Sequence, residues 1–180
     1  RRHVYGRTAA PFLSGERVIT HEGVKAPDDH DELIYGSSRE LVILGAEQVE
    51  FLHPACADGK PFLAWELVTH TDDHEPPRTI RALDPTPAGR WQVALKELRE
   101  TALAQHGRGQ SAWDEFWDLR DAFAQLQPYW CLTCHKAQGS QFRNVFVQSR
   151  DFDRAAGGAP ERRRLWYTAL TRAQRAVHLI

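Results

Sequence analysis

The sequence predicts a mixed α/β chain, with a small antiparallel β-barrel, a pair of helices, and part of a parallel sheet with its crossover helix. Three observations predict this. Between Glu16 and Leu83, short apolar and β-branched runs are punctuated by Gly, Pro and Asp, which suits tight antiparallel turns better than βαβ units. From Trp91 onward the apolar period changes from two residues to three or four, the spacing of a helix face. After Pro128, apolar strands alternate with a helical run, which argues for a parallel sheet.

The elements follow in order. Pro11–Gly15 reads as a turn leading into a strand at Glu16–Thr20. The acidic stretch through Glu32 reads as a loop. Glu40–Leu44 and Glu47–Phe51 read as two strands separated by Gly45, followed by strands at Phe62–Thr69 and Arg78–Leu83. Trp91, Ala94, Leu95, Leu98 and Ala102 mark a first helix, ended by Gly107 and Gly109. Ser111 with Asp114 three residues later resembles a capping box. Trp113, Phe116, Trp117, Leu119, Phe123 and Leu126 line a second helix, ended by Pro128. Their helical spacing reads as core, not as a base-stacking platform. The last third reads as a strand at Trp130–Cys134, a strand at Asn144–Gln148, a linker turn at Gly157–Pro160, a helix at Glu161–Ala173 and a strand at Ala176–Ile180.

Apolar residues make up 42% and charged residues 26% of the 180, enough for a real core. The formal net charge of −1 gives no global reason to expect nucleic acid, so any such surface must be local. One candidate lies between Arg150 and Ile180, where seven arginines face three acids. The acidic clusters lie elsewhere, at Asp28–Glu32 and Asp72–Glu75, and read as solvated loops. Three cysteines, with Cys56 isolated, do not make a disulfide framework. No apolar run reaches the ~18–20 residues of a membrane span, and no secretory h-region follows the N-terminus. The expectation is a cytoplasmic protein with no membrane partner. The chain starts at Arg1 and contains no methionine, which suggests a piece of something longer.

Cys131-Leu132-Thr133-Cys134-His135 spells a haem-attachment pattern. Attachment needs an accessible loop and an oxidising compartment, whereas the segment reads as a buried strand with no export signal. A zinc site needs a further ligand pair, and Cys56 is alone. A redox Cys-x-x-Cys would open a helix, and here a glycine turn follows. No haem and no zinc are expected.

Two strings point elsewhere. His135-Lys136-Ala137-Gln138-Gly139-Ser140-Gln141-Phe142 is similar to motif V of superfamily 1 helicases. Tyr167-Thr168-Ala169-Leu170-Thr171-Arg172-Ala173 is similar to motif VI, and the two occur in the family's order. The wording Thr133-x-His135-Lys136-x-Gln138-Gly139-Ser140 most resembles the RecD/Dda-type branch, which moves 5′→3′ on single-stranded DNA.

The resemblance implies an α/β fold: residues 1–15 and 128–180 as part of a RecA-like motor lobe (2A), residues 16–88 as an inserted SH3-like barrel (2B), and residues 89–127 as a helical hairpin of the insertion. It implies that Arg172 is the arginine finger stabilising transition-state charge on the γ-phosphate. Gly139, Gln138, Gln141 and Tyr167 would lie at the ATP. Gln141 stands where the family usually has a ribose-binding glutamate, and keeps one carbonyl acceptor without the charge. Thr133, His135, Lys136 and Ser140 would face the DNA, with Lys136 the best phosphate partner by charge.

The implied cofactors are ATP and Mg2+, held mainly by an N-terminal RecA-like lobe of the same polypeptide. The 180 residues contain neither a Gly-x-x-x-x-Gly-Lys-Ser/Thr loop nor a Walker-B strand. Without that lobe the chain is expected to be inactive. The other implied partners are single-stranded DNA and nuclease, replication or repair subunits, in a nucleoid-associated setting. The alternative is a non-catalytic module binding single-stranded DNA or protein.

Overall fold

The computed structural model describes residues 10–27, 32–54, 58–72, 75–85, 88–104, 110–154 and 158–180. Two compact units emerge, one ending at Tyr129 and one running from Trp130 to Ile180.

The first unit is built on a five-stranded antiparallel sheet. Its strands are β1 (Arg17–Thr20), β4 (Glu40–Phe51), β5 (Phe62–His70), β6 (Arg78–Leu83) and β7 (Leu126–Pro128), in the order β6-β5-β4-β1-β7. A two-stranded ribbon, β2 (Val24–Lys25) with β3 (Leu33–Tyr35), stands beside it. Past the ladders, the Ala124 N–H donates to the Arg81 carbonyl at 2.6 Å. That bond ties the β6 edge to the segment entering β7.

Residue parity explains how this sheet holds two cores. Along β5, Phe62 and Ala64 point to one face, while Trp65, Leu67 and Thr69 point to the other. Leu67 joins Val18, Val24, Tyr35, Leu41, Ile43, Ile80 and Ala82 in one buried cluster. Phe62 and Ala64 join Leu119, Ala122 and Phe123 in a second. β4 serves both faces by another device. Its register slips between Ile43 and Gly45, so Leu44 is an extra, exposed residue. Before the slip Leu41 and Ile43 face the first core. After it the parity reverses, sending Ala46 to that core and Val49 and Phe51 to the second. Gly45 therefore marks a bulge inside one 12-residue strand, not the gap between two strands that the sequence reading expected.

The helical pair covers the second core. Helix α1 (Ala88–Ala104) and helix α2 (Gln110–Asp121) pack against each other. Trp91, Ala94, Leu95 and Leu98 of α1 line the cluster around Phe62 and Phe123, and the Trp91 Nε1–H donates to the Leu119 carbonyl at 3.3 Å. Arg90 clips the start of α1 to the β4–β5 connection: it donates to the Pro61 and Lys60 carbonyls and to Asp58 Oδ1, and stacks over Phe62. The Asp58 carboxyl is held below its ordinary pKa, first by the Arg90 hydrogen bond and then by the Lys60 amide. The helices thus share the apolar face of the sheet.

Several expectations change here. The stretch through Glu32, expected to be a loop, contains strand β2, which pairs with β3 just beyond it. Ser111 lies within α2, not ahead of it, so the capping-box start is not what begins this helix. The helix ends at Asp121, not at Pro128, and Leu126 belongs to β7. Pro128 ends a strand, where a missing N–H is tolerated. Ala10–Gly15 packs in the first unit. Its Phe12 meets Trp65 edge-on at 6.2 Å, and the Gly15 N–H donates to Ile43. Residues 1–9, Asp28–Asp31, Cys56, Asp73, His74, Gly107, Gly109 and Gly157 lie outside the described residues.

The second unit pairs β8 (Phe142–Val147) with β9 (Ala173–Leu179) in parallel, as the alternation of strands and helix predicted. Between them lie α3 (Ser149–Asp153) and α4 (Gly158–Leu170). Phe152 and Trp166 hold the two helices together, ring to ring at 4.7 Å. Gly158–Pro160, expected to be a linker turn, form the first turn of α4. Proline is tolerated there because that N–H has no intrahelical acceptor. Trp130–Cys134, expected to be a strand, is a turn and an irregular stretch with Trp130 and Cys131 exposed. The segment joins no sheet and is partly exposed, so the burial argument made against haem attachment does not hold. Among the described residues no helix is long and apolar enough to cross a membrane.

Candidate nucleotide and nucleic-acid site

The residues singled out in the sequence gather in the second unit. Residues Cys134 to Gly139 fold into consecutive turns. The Thr133 carbonyl accepts from the Ala137 N–H at 3.0 Å, and the Thr133 hydroxyl oxygen accepts from the Lys136 N–H at 3.3 Å. Serine and threonine start turns in this way. Thr133 and His135 are exposed and Lys136 is half-buried. Two further bonds close the turn, Gln138 N–H to the His135 carbonyl and Ser140 N–H to the Ala137 carbonyl. Gly139 makes this closure possible: its φ is +85°, in the region that side chains disfavour. A Cβ built there would meet nothing within 4 Å, so conformation and not crowding calls for glycine.

The Cys134 thiol donates to the Leu165 carbonyl at 3.8 Å, tethering the turn to α4. Burial pushes its pKa up. A thiol held this way suits a structural tether better than a nucleophile. Among the described residues no group of three His, Cys, Asp or Glu is placed to hold a metal ion.

Arg172 does not sit on the helix as expected. The helix ends at Leu170, and Arg172 lies in the turn that enters β9. The sheet claims it: the Arg172 carbonyl accepts from the Phe142 N–H at 2.9 Å, at the first rung of the parallel ladder. Its side chain lies back toward the glycine turn. Nη1–H donates to the Ser140 carbonyl at 3.3 Å, and Nη2–H donates to the Thr171 hydroxyl oxygen at 3.1 Å. Nε is buried with no partner. Two residues further, Gln174 Nε2–H donates to Gln141 Oε1 at 3.2 Å.

Ser140, Gln141 and Arg172 are therefore brought together from positions about thirty residues apart in the chain. Tyr167 is 71% exposed on α4, so it is not core within its unit. Thr133, His135 and Lys136 share the first part of the turn. Thr171 and Gln174 were not singled out beforehand. Thr171 adjoins Arg172 in sequence, a signal open to use; Gln174 meets a partner 33 residues away, and nothing local announces it.

Residues 128–180 match the family model of the UvrD-like helicase C-terminal domain. The chain is also 23% identical over 150 residues to the ATP-dependent DNA helicase dda of Enterobacteria phage T4. That match covers 78% of this chain and 34% of the relative, so the chain spans about a third of the relative's length. With the paired motifs, these two findings support a superfamily 1 helicase C-terminal region in this chain.

Proposed function

We propose that this chain is the C-terminal region of an ATP-dependent DNA helicase that couples ATP hydrolysis to movement along single-stranded DNA and to duplex unwinding, in the 5′→3′ direction. The observation that carries the reading is the hydrogen-bonded contact between the two motif-bearing segments, Arg172 against the Ser140 carbonyl. It gathers a cation, a glycine turn and amide side chains where the chain enters the paired strands β8 and β9.

In this reading Arg172 is the arginine finger, and its buried, unpartnered Nε fits an anionic oxygen. ATP supplies the phosphoryl group whose transfer to water drives the motor. Gly139, Gln138 and Gln141 line the approach to it, and Tyr167 presents an exposed ring beside it. Gln141 keeps its amide oriented by Gln174. Thr133, His135, Lys136 and Ser140 contact the DNA backbone, Lys136 by charge. The P-loop and the Mg2+ ligands belong to a RecA-like lobe outside these 180 residues. Residues 16–88 correspond to the inserted SH3-like module, 89–127 to its helical hairpin, and 1–15 with 128–180 to part of the RecA-like 2A lobe. The two core clusters on opposite faces of one small sheet are compatible with that assignment.

The reading is tested on the helicase containing this chain together with its P-loop lobe. ATPase stimulated by single-stranded DNA and displacement of a strand from a 5′-tailed duplex, but not from a 3′-tailed one, are expected. Displacement from the 3′-tailed duplex alone would reverse the polarity, and no DNA-stimulated ATPase would overturn the function.

A further inference from the structure

We propose that Thr171 is a positioning residue for Arg172, an inference that rests on the arginine-finger reading above. Helix α4 ends at Leu170, and the Thr171 N–H still donates to the Tyr167 carbonyl at 3.0 Å. The Thr171 hydroxyl has one hydrogen and two helix carbonyls in reach, Tyr167 at 2.8 Å and Thr168 at 3.1 Å. Giving its hydrogen to either one sets the hydroxyl rotor and leaves the oxygen's lone pairs to accept. Arg172 Nη2–H donates into that oxygen at 3.1 Å. A hydroxyl that is already donating is the better acceptor.

The guanidinium is thus held between two acceptors of different origin. The Ser140 carbonyl belongs to the glycine turn, and the Thr171 hydroxyl to the helix end. Each is fixed by backbone, Ser140 through its N–H to Ala137 and Thr171 through its N–H to Tyr167. A flexible side chain just past a helix would otherwise sample many rotamers, and two fixed acceptors remove most of that freedom. Two of the five N–H donors are used in these bonds, and Nε is buried without a partner. The arrangement aims the group and leaves donor capacity for a phosphate oxygen.

The test compares two substitutions in the helicase containing this chain and its P-loop lobe, assayed for ATPase at saturating single-stranded DNA. Thr171→Val keeps the β-branch and removes the hydroxyl, whereas Thr171→Ser keeps the hydroxyl. The valine variant is expected to lower kcat about 10- to 100-fold with the KM for ATP within about twofold, and the serine variant to stay within about threefold of wild type. Added to Arg172→Ala, the valine change is expected to slow the enzyme no further, because both act through one guanidinium. Wild-type kcat in Thr171→Val, equal impairment in Thr171→Ser, or additive slowing in the double variant would overturn the inference. Should Thr171→Val fail to fold, Thr171→Ala against Thr171→Ser replaces it, with the same split expected. Full ATPase in Arg172→Ala would sink the finger reading and this inference with it. Loss of ATPase in Arg172→Ala with Thr171→Val unaffected would sink this inference alone.

Discussion

Replacing Leu119 by alanine tests whether the helical pair and the sheet share one core. Leu119 is fully buried at 0% exposure, between Phe62 and Ala64 of the sheet and Ala122 and Phe123 just past α2. Three side-chain carbons are removed, worth about 2.4 kcal/mol in transfer at about 0.8 each. The neighbours are held from two elements, Phe123 by edge-on contacts with Phe51, Phe62 and Trp91. They cannot close fully over the hole, so a cavity penalty brings the loss to about 3–4 kcal/mol. At a urea m-value of about 2 kcal/mol/M the midpoint falls by about 1.5–2 M. The assay is urea unfolding followed by circular dichroism, with amide exchange read by mass spectrometry on peptides from α1, α2, β4 and β5. Protection should fall together in helices and strands. A loss under about 1 kcal/mol, or exchange raised in the helices alone, would refute the shared core.

Three further predictions follow from local geometry. The Asp58 carboxyl is depressed in the folded state, so its contribution to stability is present above the usual carboxylate pKa and is lost as pH falls through the lower folded value. Asp58→Asn should lower stability at neutral pH and flatten the acid limb, so that variant and wild type converge as pH falls below about 4; equal stability at neutral pH with an unaltered acid limb would refute the Arg90 clip. Gly139→Ala should cost about 1–2 kcal/mol through its left-handed φ alone, seen as a lower melting temperature, because the space around it is open. A neutral effect would mean that the turn adopts another conformation. Cys131 is exposed, while Cys134 is half-buried, bonded to Leu165 and raised in pKa. Iodoacetamide mapped by mass spectrometry should therefore label Cys131 well before Cys134, with Cys134 labelling rising as pH increases. The reverse order would refute the tether.

The strands at β1, β5 and β6 were legible because each is a run bounded by turn residues, and their bounds agree within a residue or so. The bulge in β4 was not legible, since Gly45 reads the same whether it breaks a strand or slips its register. What decides is which residues meet across the sheet: Val49 opposite Ala64, and Ala46 opposite Leu67. β7 hides behind Pro128, because a proline looks like a stop until an edge position makes its missing N–H harmless. The end of α4 was misplaced by three residues. Local propensity would carry the helix through Ala173, but the parallel ladder with β8 takes residues 173 onward. The site was legible as two strings of residues. Their contact through the Ser140 carbonyl, and the parts played by Thr171 and Gln174, depend on a fold that brings residues about thirty apart within hydrogen-bond reach.

The most direct measurement is DNA-stimulated ATP hydrolysis by the Arg172→Ala variant of the helicase containing this chain, beside its affinity for single-stranded DNA. The account predicts a fall in kcat of about 1,000-fold or more with DNA affinity kept within about threefold. Hydrolysis within about tenfold of wild type would contradict it, because so small a loss leaves no room for a transition-state finger.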